Sequence, residues 1–173
     1  MRKIYIVLTY TGTFLSKIIR MYTKEEYAHV SISFNENLEE MYSFGRLHPY
    51  NPFFGGFVKE SIHHGTFKRF RKTKTRVYSL EVDEEKFSNM QEIIEYIDLN
   101  RKKYRFNVIG LFAVGLHLRV KREKCFYCAE FVKYVLDQSQ LKLGLPELIK
   151  PNDFQNLFGS KEIYTGFLQE YNL

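Results

Sequence analysis

Tryptophan is absent from this chain and cysteine occurs only twice. Two cysteines are too few for the disulfide framework of a small secreted domain. No window of about eighteen apolar residues occurs, so no segment reads as a membrane-spanning helix. Internal repeats, low-complexity tracts and an inter-domain linker are also missing. The 173 residues therefore read as one domain, 1–173, large enough for its own core. The pair Cys125-x-x-Cys128 lacks two further ligands at zinc-site spacing, so neither a metal nor a cofactor is expected.

What the chain does contain is apolar and basic. Hydrophobic residues make up 45% and aromatic residues 17%, which excludes a disordered chain. The net charge of +6 points to acidic substrates, anionic membrane surfaces or nucleic acid as partners. The excess is local: Phe67–Arg76 reads F-K-R-F-R-K-T-K-T-R, and Arg101–Arg105 and Arg119–Lys124 form two more clusters. No helix-turn-helix, zinc-finger or RNA-binding aromatic motif accompanies them, so specific nucleic-acid binding is not expected. The start, M-R-K-I-Y-I-V-L-T-Y-T-G-T, has a basic opening but only a short, β-branched apolar run and no small-x-small cleavage site. It reads as a buried first strand. The expected location is the cytoplasm, with peripheral contact at an anionic membrane allowed by the basic surface.

Periodicity supplies the elements. Lys3–Thr9 predicts a strand, Phe14–Met21 a helix capped by Thr13, and Ala28–Phe34 a half-buried strand. In the last, Val30, Ile32 and Phe34 alternate with His29, Ser31 and Ser33. Asn35-Glu36-Asn37 turns the chain into a second hairpin arm, Glu40–Phe44. Gly45–Phe57 is aromatic, rich in glycine and proline and aperiodic, so it predicts a loop that could form a lid or pocket wall. Gly65–Phe70 and Thr75–Val82 predict strands. Asp83 caps a helix over Glu84–Asn100, and Phe106–Leu118 is a helix apolar nearly all round. Pro151-Asn152-Asp153 opens a last short helix to Phe158, and Glu162–Leu168 is a closing strand. Mixed hairpins and helices make an α+β class rather than a doubly wound one.

The segment Lys124–Gln138, K-C-F-Y-C-A-E-F-V-K-Y-V-L-D-Q, organises the chemistry. Phe131, Val132, Val135 and Leu136 recur at helical spacing, which puts Cys128 at the first turn of an amphipathic helix. Unpaired N–H groups and the positive end of the helix dipole favour a thiolate at such a place. A buried bystander thiol is the bland alternative. A nucleophilic cysteine needs a base and a group to orient it. Of His29, His48, His63, His64 and His117, only His29 opens a strand, where a base can be held rigidly. A hairpin turn centred near Glu36 puts Ser43 opposite His29, and a one-residue slip presents Tyr42 or Phe44. Glu40 is the carboxylate alternative.

These motifs, A-H-V-S-I, then M-Y-S-F-G-R, then F-Y-C-A-E-F-V and K-P-N-D-F, resemble those of the circularly permuted NlpC-type papain-like cysteine hydrolases. The YiiX-like proteins and the lecithin retinol acyltransferase group belong to that branch. In it the histidine strand comes first and the cysteine helix last, as in this chain, and the resemblance spans nearly the whole length. It implies a papain-like fold of permuted topology, an antiparallel sheet packed on helices. It further implies Cys128 as nucleophile, His29 as base and Ser43 as the third member, where the family is expected to place His, Asn, Gln or Glu. Cleavage or transfer at an amide, ester or thioester of a small-molecule, lipid-like or peptide substrate would follow. Backbone N–H groups at the helix start would hold the oxyanion, with Tyr10, Tyr42 and Tyr127 as candidates to bind substrate or donate to it.

Two other readings compete. Cys125 and Cys128 could be a redox pair, although no thioredoxin-like βαβ unit precedes them. A non-catalytic module could instead use the basic clusters to bind anionic lipid or nucleic acid.

Overall fold

The computed structural model describes residues 1–48, 51–118, 120–157 and 159–171. A six-stranded sheet forms its frame, with strand order β4-β3-β2-β1-β5-β8. The strands are β1 (Arg2–Tyr10), β2 (His29–Ser33), β3 (Met41–His48), β4 (Asn51–Glu60), β5 (Lys74–Val82) and β8 (Ser160–Phe167). Every neighbouring pair is antiparallel. A two-residue parallel ribbon joins β6 (Arg105–Phe106) to β7 (Cys125–Phe126). The helices are α1 (Phe14–Thr23), α2 (Gly65–Arg69), α3 (Glu84–Leu99), α4 (Val108–Gly115) and α5 (Cys128–Gln138). The architecture is α+β.

Both faces of the sheet are covered. Ile4, Ile6, Leu8, Val30, Ile32 and Phe44 pack against α3 and α5 through Phe87, Met90, Ile94, Phe131, Val132 and Val135. The opposite face carries a smaller cluster, in which Tyr5, Val7, Met41 and Val77 meet Ile62, Phe67, Leu168 and Tyr171. This second layer buries the polar face expected to meet solvent on β2. Ser31 and Ser33 are fully buried, and Ser33 Oγ donates to the Glu40 carbonyl at 2.8 Å. Burial without those partners would cost free energy.

Several expectations are corrected. Gly45–Phe57 is not a loop: its described residues continue β3 and open β4, leaving 49 and 50 outside the described residues. The glycines that suggested a loop instead let other chain segments come close. A Cβ on Gly55 would stand 2.7 Å from both the Gly45 carbonyl oxygen and Phe106 Cβ. Gly65–Phe70 is a helical turn rather than a strand, because spacing of three between its aromatics also fits one turn, and Phe67 alone is driven into the lower core. The helix expected over Phe106–Leu118 spans only Val108–Gly115, with Phe106 in β6 and Asn107 as its cap. Its Leu111 and Val114 are buried while Ile109, Phe112 and Leu116 are exposed. Pro151–Asn156 is a 3-10 turn, and its expected end, Phe158, lies outside the described residues.

Phe44 is the hub of the upper core, with rings of Phe57, Tyr104, Phe126 and Phe131 around it at centroid distances of 6.0, 6.5, 5.3 and 5.1 Å. Phe44→Ala should therefore destabilise the fold by about 3–5 kcal/mol. Urea unfolding followed by circular dichroism measures this; a loss below about 1 kcal/mol would contradict the packing described.

Candidate active site

Cys128 is the first residue of α5, and the local chain holds it there tightly. Tyr127 takes the cap position in extended backbone conformation. Glu130, three residues on, accepts the Tyr127 N–H at 3.2 Å, as a capping-box acid does. The same Glu130 oxygen receives Asn107 Nδ2 at 3.3 Å, and Asn107 also caps α4 through Gly110 N–H at 3.0 Å. Asn107 is fully buried. One side chain thus ties the start of α4 to the start of α5. Phe131, Val132, Val135 and Leu136 are wholly buried on the sheet.

His29 is the first residue of β2. The segment before it is pinned by Asn152, whose Oδ1 accepts Tyr27 N–H at 3.2 Å and whose Nδ2 donates to Glu25 at 2.6 Å. Through these two bonds the K-P-N-D-F segment sets where β2 begins. His29 and Cys128 line one cavity of about 80 Å³, and the Cys128 side chain is near enough to the imidazole to help raise its pKa.

The carboxylate beside His29 comes from β4. Glu60 Oε1 and Oε2 lie 3.1 and 3.0 Å from His29 Nε2, and Ser31 Oγ donates to Oε2 at 2.6 Å. Because Nε2 faces Glu60, Nδ1 is the nitrogen available to sulfur. Burial by itself would depress the imidazole pKa. The Glu60 charge, the hydrogen bonding to Glu60 and the nearby Cys128 together outweigh that and raise it from 6.5 to about 10. For Glu60, burial pushes the pKa up, but the imidazolium and the Ser31 hydroxyl hold it below the ordinary carboxylate range.

Ser43 does not meet the imidazole. The β2–β3 pairs are Ile32 with Tyr42 and Ser33 with Met41, two residues further along than the turn at Glu36 would give. The position opposite His29 is then Gly45, where a Cβ would lie 3.7 Å from His29 Cε1. Ser43 is buried and donates to the Val30 carbonyl at 2.7 Å. Glu40 faces away, 3.5 Å from Lys59 Nζ. Glu60 was hidden from sequence reasoning because the strand that carries it begins in the segment taken for a loop.

The three tyrosines also lie elsewhere. Tyr10 packs under the Arg20 guanidinium, 4.9 Å from its ring centroid. Tyr42 stacks on Phe57 at 6.2 Å, and burial raises its phenol pKa, followed by Glu40. Tyr127 is buried and donates to the Ile149 carbonyl at 2.8 Å. None of the three lines the cavity. Cys125 is half-buried in β7, ahead of the helix, and both cysteines are free. Among the described residues no group of three or more His, Cys, Asp or Glu could hold a metal ion, and no helix is long and apolar enough to cross a membrane. No family model, curated protein or solved structure matches this chain.

The pair imposes a pH window on stability. A raised His29 pKa stabilises the fold fully below pH 6.5, and that contribution declines as pH climbs to about 10. The lowered Glu60 pKa contributes above about 4.5 and is lost in acid. The stability difference between wild type and Glu60→Gln should therefore be greatest between about pH 4.5 and 6.5 and shrink towards both extremes. Urea unfolding across pH checks this, and a difference that does not vary with pH would contradict it.

Proposed function

We propose that this chain is a cysteine hydrolase or acyltransferase whose Cys128, His29 and Glu60 act as nucleophile, base and orienting carboxylate. The reading also assigns it to the circularly permuted branch of the NlpC-type papain-like hydrolases. One observation carries it: a single imidazole beside a partly buried carboxylate, lining one cavity with a cysteine at a helix start. That is the base, orienter and nucleophile arrangement of covalent catalysis. The chain order, histidine strand before cysteine helix, supports the permuted topology.

In this mechanism the Cys128 sulfur attacks an amide, ester or thioester carbonyl. Backbone N–H groups of the first turn of α5, which have no partner inside the helix, stabilise the oxyanion. His29 gives its proton to the leaving group, and the C–N, C–O or C–S bond breaks. Water or another acceptor then attacks the acyl-enzyme, passing its proton back to His29 as the carbon–sulfur bond breaks and the Cys128 thiolate is released. Glu60 keeps Nδ1 aimed at sulfur and balances the imidazolium charge. Because the carboxylate replaces the serine expected at the third place, the site has the stronger of the two kinds of partner for a charged imidazole.

Iodoacetamide should alkylate Cys128 more than about tenfold faster than Cys125 near pH 7, and His29→Ala should abolish that difference. Incubation with p-nitrophenyl acetate should leave an acetyl group on Cys128, seen by peptide mass spectrometry. Equal, slow labelling of both thiols together with a reversible Cys125–Cys128 disulfide would instead support a redox pair.

A further inference from the structure

Among the described residues, three charged side chains line the cavity in front of Cys128: His29, Glu60 and Arg46. Glu60 is engaged by His29 and Ser31, so the carboxylate is committed and the third charge is a cation. The Arg46 guanidinium is half-buried and donates to Thr13 Oγ1 at 3.2 Å. Thr13 caps α1 by accepting Ser16 N–H, so the cation stands beside a helix N-terminus, where anions are favoured.

A second observation points the same way. Thr9 pairs with His29 across the β1–β2 ladder, lines the same cavity and is fully buried, yet its Oγ1 has no hydrogen-bond partner among the described residues. A buried hydroxyl without a partner is costly unless a ligand satisfies it. Arg46 also borders a groove of about 980 Å³ that shares Glu60, Thr66 and Phe67 with the cavity. It therefore lines both the groove and the cavity that holds the sulfur.

We propose that the acyl substrate attacked by Cys128 carries an anionic group, carboxylate or phosphate, bound by Arg46 with the hydroxyls beside it. A planar guanidinium fork matches either group through paired hydrogen bonds. Burial lowers the Arg46 pKa, as expected of a cation poorly served by water. The proposal rests on Cys128 being the nucleophile, and its test separates the two claims.

Iodoacetate and iodoacetamide differ in charge and little else. With either, a carbon–sulfur bond forms on Cys128 as the carbon–iodine bond breaks and iodide leaves with the electron pair. Wild-type protein should favour iodoacetate at Cys128, relative to the same rate ratio at Cys125. Arg46→Gln should lower the Cys128 ratio about tenfold or more, and Arg46→Lys should lower it less. An unchanged ratio in Arg46→Gln, or no iodoacetate preference in wild type, overturns the proposal. Failure of iodoacetamide to select Cys128 would instead overturn its role as nucleophile. Should Arg46→Gln fail to fold by circular dichroism, protection of wild-type Cys128 decides. Slowed iodoacetate labelling by N-acetylglycine supports a carboxylate, slowing by inorganic phosphate supports a phosphate, and slowing by neither overturns the proposal.

Discussion

The ion pair between His29 and Glu60 constrains the rest of the site. Moving two charges out of water costs several kcal/mol per ion, and the pair persists only when geometry and added hydrogen bonds return it. Here both carboxylate oxygens lie close to Nε2, and Ser31 donates to one of them. The pair belongs to strands that are not neighbours: β3 lies between β2 and β4. Gly45, opposite His29, leaves open the space in front of the imidazole. Removing the carboxylate alone would leave a partly buried imidazolium without its counter-charge.

Around that pair the fold is arranged to place two chain segments a hundred residues apart. Asn152 sets the start of β2, and Asn107 with Glu130 sets the start of α5. Each is a polar side chain whose hydrogen bonds go to backbone termini, which strands and helices leave unsatisfied. The apolar layer of Phe44, Phe57, Phe126 and Phe131 fills the volume between the two segments. The placement of Cys128 and His29 therefore comes from capping and packing outside the cavity.

Much of this was legible in the sequence where the signal was local. Periodicity placed α3, α5, β1, β2 and β5 near their observed limits, and helix position marked Cys128 as a candidate, while the motif order separated it from Cys125. Strand position marked His29 in the same way. What failed was nonlocal. The hairpin register depended on a turn centred one residue later than Asn35-Glu36-Asn37 implied, which shifts each partner by two, so Ser43 serves Val30 rather than the imidazole. Glu60 lies at the end of a strand whose glycines and prolines gave a loop signal, although Gly55 makes room for Phe106. No spacing rule links a residue on β4 to one on β2 across a third strand.

The proposed chemistry depends most on His29 being held as an imidazolium beside Cys128 at neutral pH. Imidazole nitrogen chemical shifts of 15N-histidine-labelled protein, followed from pH 5 to 11 with His29→Gln as the assignment control, measure this directly. His29 should stay doubly protonated through pH 8 and titrate near 10. A His29 that loses its proton near its ordinary 6.5 would contradict the charged pair on which the site is built.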